Sequence, residues 1–253
     1  MIPNKNITEK EFKQIYNYQR ISYGGEAVIC ESDDPYTLYK IFNHYGKPKK
    51  MSTNKLKKIE LLYGLKPKNS IEPISTISLN DVIIGYEMTT DFGLETYKTY
   101  ELSPEELKYF LTETKRILEY YSSLGIIYGD VEPRNILFDR ETGEIKFCDM
   151  DNIAFGSLPM DILPFHLEYY GSQRKIDYTV HPYMHNLMTM KALDLNIYGP
   201  DKLSLRRTLK RPGVKTVMSM SKPRDFNGEY IIPYVKKLDK KKNGLERMFL
   251  WQN

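Results

Sequence analysis

The chain is predicted to fold as an α+β protein of two lobes, the first mainly β and the second mainly helical. Three observations predict it. The first 88 residues read as short strands around one helix. Residues 102–125 carry a long capped helix with one apolar stripe, and that helix runs without a gap into a carboxylate-rich hairpin at 126–151. Strands gathered in one half and helices in the other are the pattern of segregated α+β architecture.

Taken in order, Arg20–Ser22 leads through Gly24 and Gly25 into the apolar run Ala27–Cys30. Asp33-Asp34-Pro35 makes a turn, and Tyr36–Phe42 alternates as a strand containing Lys40. Ser52 can cap a helix through Lys55–Leu62, stopped near Gly64 and Pro67. Ile74–Leu79 and Val82–Met88 follow as a strand pair across Asn80-Asp81. Ser103-Pro104-Glu105-Glu106 is a capping box with proline at the first helical position. Leu107, Phe110, Leu111, Ile117, Leu118 and Tyr121 recur at spacings of three and four, and Gly125 fits the end of the helix. Ile136–Phe138 and Ile145–Cys148 flank a turn and deliver Asp149. Pro159–Tyr170 reads as loop and Tyr183–Leu193 as a mostly apolar helix. The expected division is 1–88 for the first lobe, 89–199 for the core of the second, and 200–253 for its basic end or tail.

Composition narrows the function. Hydrophobic residues at 41% and aromatics at 13% over 253 residues supply a real core. Cys30 and Cys148, both in strand-like runs, offer neither a disulfide framework nor a metal knuckle, so a reducing cytosol is the expected compartment. The first residues lack an apolar signal core, and no run approaches the roughly 18 apolar residues of a membrane span. The expectation is therefore a soluble, cytoplasmic protein without a membrane partner. The net charge of +4 conceals an asymmetry: residues 200–253 hold 14 Lys/Arg against 5 Asp/Glu, and the first 199 residues carry −5. A basic end of that kind can meet an acidic partner or nucleic acid, through Arg206-Arg207, Lys210-Arg211 and Lys240-Lys241-Lys242.

Asp130 and Asn135, five apart, with Asp149 at the end of the hairpin, can bring a carboxylate base and two metal ligands to one place. Leu118–Leu137, taken without a gap, resembles the helix and catalytic loop of the protein-kinase family, and Ile145–Asp151 is similar to its strand ending in the metal-binding aspartate. The likeness covers residues 20–195 in order. It implies a mainly β N-lobe, a mainly helical C-lobe, ATP and Mg²⁺ as cofactors, and a protein hydroxyl as acceptor. Asp130 is then the base that receives or orients that hydroxyl, and Asn135 and Asp149 are the metal ligands. Lys40 holds the α- and β-phosphates, and Glu60 on the preceding helix pairs with it. Gly24 and Gly25 lie over the phosphates, where absent side chains let the backbone approach. Glu87 and Met88 resemble the hinge that binds adenine through its backbone, and Val28 and Leu137 complete the nucleotide-binding set.

The departures from that pattern matter too. Tyr128 and Gly129 stand where the family has His-Arg, so no cation sits beside Asp130 to meet an activation-loop phosphate. The resemblance then implies activity not gated by such phosphorylation; replacing every hydroxyl in residues 152–170 leaves the rate unchanged, and a large fall would overturn this. Glu132 replaces a common lysine, and Arg134, four after Asp130, supplies the catalytic cation instead. Leu38 stands two before Lys40 where a small alanine is usual. Asp151, a second metal contact or a capped turn, replaces the glycine after the metal-binding aspartate, and His181 replaces a buried aspartate as a hydrogen-bonded structural residue. Gly129-Asp130 and Asp149-x-Asp151 also resemble the aminoglycoside and choline kinases, so a small-molecule kinase is the alternative enzyme. A pseudokinase or nucleotide-binding scaffold is the alternative outside catalysis.

Overall fold

The computed structural model describes residues 1–18, 20–23, 26–44, 47–90, 95–96, 102–161, 180–182, 184–186 and 188–189. The elements run β1 (Asn4–Ile7), α1 (Glu9–Tyr18), β2 (Arg20–Tyr23), β3 (Ala27–Glu31), β4 (Thr37–His44), β5 (Lys47–Pro48), α2 (Thr53–Leu65), β6 (Pro73–Leu79) and β7 (Val82–Thr89). They continue with β8 (Glu95–Thr96), α3 (Pro104–Ser123), β9 (Ile126–Ile127), β10 (Ile136–Phe138), β11 (Ile145–Phe147) and β12 (Ala154–Phe155). Residues 180–182, 184–186 and 188–189 are helical. The chain divides into two compact units. The first joins Met1–Gly93 to Asp149–Asp151; the second is drawn from Leu94–Cys148 and the described residues from Asn152 on. The α+β class read from the sequence is the class observed.

The first unit is one mixed sheet in the order β1-β6-β7-β4-β3-β2, with β5 on β4. Among the described residues of this unit, only β1 pairs parallel, to β6; the other neighbours are antiparallel. Side chains alternate across a strand, and both faces are filled. Val28, Cys30, Tyr39, Ile41, Ile77 and Ile84 form one buried cluster with Ile15 and Tyr16 of α1. Ala27, Phe42 and Tyr86 form the other with Met51 and Ile59 of α2. The β6–β7 turn places Asn80 and Asp81 at φ 50° and 62°, the left-handed pair that a two-residue hairpin requires.

Two helices, rather than the single one expected, flank the strands of the first half. The signal for α1 was present. Thr8 N–H donates to the Glu11 carboxylate at 2.7 Å and Glu11 N–H returns a bond to Thr8 Oγ1 at 3.3 Å, a capping box. Phe12, Ile15 and Tyr16 then follow at helical spacing and pack on the sheet. Helix α2 starts as expected, with Ser52 accepting from Lys55 N–H at 3.1 Å. It ends at Lys66, left-handed at φ 45°.

The second unit is organised by α3. Ser103 and Glu106 close the expected capping box, and Leu107, Phe110, Leu111, Ile117, Leu118 and Tyr121 are all buried. The stripe holds the hairpin edge-on, ring against ring: Phe110 with Phe138, and Tyr121 with Phe147. Strands β10 and β11 pair as Ile136↔Phe147, Leu137↔Lys146 and Phe138↔Ile145. Their turn is held by Asp139, which accepts from Glu141 N–H at 2.8 Å and Thr142 Oγ1–H at 2.7 Å. Strand β12 pairs antiparallel with β9. Among the described residues, no helix is long and apolar enough to cross a membrane. The basic segment 200–253 and most of the loop 159–170 lie outside the described residues.

Candidate functional site

In the first unit the site is built around Lys40. It sits at the middle of β4 with Ile29 and Tyr86 as lateral neighbours, and only 7% of it is exposed. Its ammonium donates to Asp149 Oδ1 and, at 2.5 Å, to Asp151 Oδ1. Tyr86 OH donates to the same Asp151 oxygen at 2.9 Å. The other Asp151 oxygen accepts from Lys55 Nζ at 3.0 Å, and Lys55 also meets Glu26 Oε1 at 2.7 Å. Two lysines, three carboxylates and a phenol thus form one network. Burial alone would lower the Lys40 pKa; Asp151, Tyr86 and Asp149 outweigh it and hold the ammonium well above its ordinary range. Burial pushes Asp151 the other way, yet Lys40 and Lys55 keep its carboxyl well below the usual carboxylate range. Asp149 stands in the left-handed region at φ 60°, which an aspartate tolerates better than most residues.

Lys40 and Asp149, both expected at the site, meet in this network, whereas several of their expected companions lie elsewhere. Glu60 does not reach Lys40. It is exposed on α2 and borders a cavity of about 300 Å³ with Met1, Ile2, Leu56, Asp81 and Ile83. Lys55 is the α2 residue that faces the site. Val28 is fully buried in the α1-side cluster; it pairs with Ile41, whereas Ile29 pairs with Lys40. One step along a strand reverses the face, so Ala27 and Ile29, not Val28, share the Lys40 face. Glu87 and Met88 do not form an open hinge. Both lie in β7 between β4 and β6, and the Glu87 carboxylate accepts from Thr37 Oγ1 at 3.1 Å and Ser75 Oγ at 2.8 Å. Gly24 and Gly25 lie outside the described residues. Glu26 and Tyr86 were missed; a glutamate two residues from a turn and a tyrosine in a strand carry no distinctive spacing.

In the second unit, β9 leads into the loop bearing Asp130. Asn135 lies in the short turn Pro133–Asn135 and is 9% exposed. Its Nδ2 donates to Asp130 Oδ2 at 2.7 Å and to the Asp130 carbonyl at 3.0 Å. Cys148 N–H donates to the Asn135 carbonyl at 3.0 Å, and Tyr128 OH to the Cys148 carbonyl at 2.9 Å. The loop is therefore tied to the end of β11. Arg134 is 70% exposed, with its guanidinium 3.8 Å from Asp130 and 3.4 Å from Glu132. Leu137 is half-buried on β10, opposite Lys146 and Thr96. His181 lies buried behind the loop: Tyr128 N–H donates to Nε2 at 2.7 Å, and Nδ1 meets Ser122 Oγ at 2.7 Å. Burial lowers its pKa to about 3, so it is neutral and structural, as its place in the sequence suggested.

No family model matches the chain. It is similar to curated proteins over about half its length. It is 29% identical over 144 residues to the mitogen-activated protein kinase HOG1 of Arthrobotrys oligospora, covering 52% of this chain and 39% of that protein. It is 27% identical over 146 residues to mitogen-activated protein kinase HOG1B of Wallemia ichthyophaga, covering 53% and 38%. Over 144 residues it is 28% identical to mitogen-activated protein kinase Hog1 of Zymoseptoria tritici, covering 52% and 38%. The chain spans about two fifths of the length of these relatives. These likenesses, together with the α+β class, support a protein-kinase-like superfamily for this chain.

Proposed function

We propose that the chain is an ATP- and magnesium-dependent phosphotransferase that passes the γ-phosphate to a hydroxyl of a protein substrate. The observation that carries this reading is the meeting of Lys40 with Asp149, 109 residues apart in sequence, in one buried network. A lysine for phosphate and a carboxylate for metal are the parts that phosphoryl transfer needs adjacent. In the other unit, Asn135 holds Asp130 by a hydrogen bond, the pairing expected of a base and a metal ligand. The mitogen-activated protein kinase relatives favour a protein acceptor.

The residues present suit magnesium. Asn135 commits its side-chain amide hydrogens to Asp130, which leaves its side-chain Oδ1 to face a cation. Asp149 keeps 45% of its side chain exposed. Among the described residues no group of three or more His, Cys, Asp or Glu could hold a metal alone. Asn135 and Asp149 each offer an oxygen of the kind that magnesium, completed by phosphates and water, ordinarily takes. When bound, it supplies positive charge against the phosphate oxygens. Lys40 fixes the nucleotide phosphates through its buried ammonium. Asp130 accepts the proton of the attacking hydroxyl, and the bond from Asn135 holds that carboxylate in one rotamer. Arg134, the cation nearest Asp130 in its loop, offsets the negative charge of Glu132 where the phosphate passes.

The test is incubation with labelled ATP and magnesium, a mixed protein acceptor, and in parallel choline and an aminoglycoside. Wild type labels protein, while Asp130→Asn and Asp149→Asn each lose at least a hundredfold. Label on the small molecules alone would establish the alternative enzyme. Magnesium-ATP binding without transfer to any acceptor would leave a nucleotide-binding scaffold.

A further inference from the structure

We propose that Asp151 and Lys55 are positioning residues for the phosphate lysine: one buried carboxylate spans Lys40 and Lys55 and so ties helix α2 to strand β4. The proposal rests on the phosphotransfer reading for what Lys40 does, while the bridge itself rests on geometry. Asp151 divides its two oxygens. Oδ1 takes Lys40 at 2.5 Å and Tyr86 at 2.9 Å, and Oδ2 takes Lys55 at 3.0 Å. Its side chain is 1% exposed, that of Lys55 3% and that of Lys40 8%. Removing three charges from water is expensive, and an apolar trio would fill the same space at less cost. What the ionic trio adds is direction, because a lysine has a long flexible stem and its ammonium goes where its acceptor stands.

The arrangement reverses the expected polarity. The sequence led to a carboxylate on α2 meeting Lys40, but α2 presents a second cation. Two cations cannot face each other buried without an anion between them, and Asp151 is that anion. It occupies the position where the family pattern has glycine, so the departure in the loop and the lysine on the helix answer one another. Lys40 also contacts Asp149. A metal ion on Asp149 would take that partner away, and Asp151 then keeps the ammonium in place. Asp149 and Asp151, two residues apart, thus divide metal binding from lysine positioning.

The experiment uses the full chain with Asp151→Asn, Lys55→Met and the double variant, and Ile15→Ala as a control. Ile15 is buried on the opposite sheet face, so its truncation lowers stability without touching the network. Calorimetric titration with magnesium-ATP is expected to show at least tenfold weaker binding for Asp151→Asn and for Lys55→Met, and unchanged binding for Ile15→Ala. Thermal unfolding reads the bridge without nucleotide: Lys55→Met lowers Tm with Asp151 present and no longer lowers it in the Asp151→Asn background. Wild-type affinity in both single variants, or additive Tm effects, would overturn the proposal. If wild type binds no nucleotide while the Tm effects remain non-additive, the bridge stands and the phosphotransfer reading falls. Lys55→Met keeps Asp151 paired with Lys40, so it decides the matter if Asp151→Asn does not fold.

Discussion

A neutral imidazole has one donor and one acceptor, and His181 uses both. Nε2 accepts from the Tyr128 backbone, so Nδ1 carries the proton and gives it to Ser122 Oγ, which in turn donates to the Leu118 carbonyl at 3.0 Å. A charged carboxylate is thus not needed to receive a backbone N–H at this buried place. His181→Phe keeps the ring volume but strands Tyr128 N–H. Urea titration is expected to show a loss of about 1–3 kcal/mol, the cost of an unsatisfied buried donor. Sequence revealed these single residues unevenly. Asp130, Asn135 and Asp149 were singled out because their types and spacing suit phosphoryl transfer. Val28 was misplaced because a strand's face depends on its register with β4, and nothing in Ala27–Cys30 distinguishes one phase from the other. Lys55 was not singled out because a lysine on a helix is ordinarily solvated, and the buried Asp151 gives it a reason to turn inward.

At the scale of elements, α3 shows how much one terminus can carry. Glu106 completes the capping box on Ser103 N–H at 2.7 Å and also grips Arg140 beside the hairpin at 2.6 and 2.7 Å. The Arg140 guanidinium and the Ser103 N–H hold its carboxyl at about 2. Ser103→Ala is expected to cost about 1 kcal/mol in chemical unfolding, the usual worth of such a cap. On the sheet, Gly85 of β7 allows close approach. A Cβ there would stand 2.3 Å from the Lys40 carbonyl, so Gly85→Ala must push β7 away from β4 and shift Lys40. Lower Tm together with weaker magnesium-ATP binding is the expected outcome, against lower Tm alone for an alanine elsewhere in the sheet. Helix α3 and its hairpin were legible because capping and a long apolar stripe are local signals. Helix α1 had the same signals over a shorter span, where fewer apolar positions reach the sheet.

For the whole molecule, acid is the informative perturbant. Burial holds His181 at about 3 and His185, bonded to the Leu111 carbonyl at 2.9 Å, at about 4. The unfolded chain takes up protons on both below its ordinary histidine pKa of about 6.5, while the native state refuses them. The unfolded state therefore binds more protons, and stability falls as pH falls. Their contribution is complete above about pH 6.5 and is lost between there and pH 4 to 3, at up to about 1.4 kcal/mol per pH unit for each histidine. Unfolding free energies from pH 7 to 4 check this, with His181→Phe flattening the slope. The two-unit division was only partly legible, because the assignment of Asp149–Asp151 to the sheet unit depends on contacts far apart in sequence. The short ladder of Ile126–Ile127 with Ala154–Phe155 closes the chain on itself around residues 128–153. Asp130 and Asp149 both lie within that span of chain, and Glu141–Thr142 at the β10–β11 turn is exposed. Lengthening a loop costs only about 0.6 kcal/mol per doubling. The turn is therefore a seam at which this polypeptide can accept inserted sequence while both carboxylates keep their moorings.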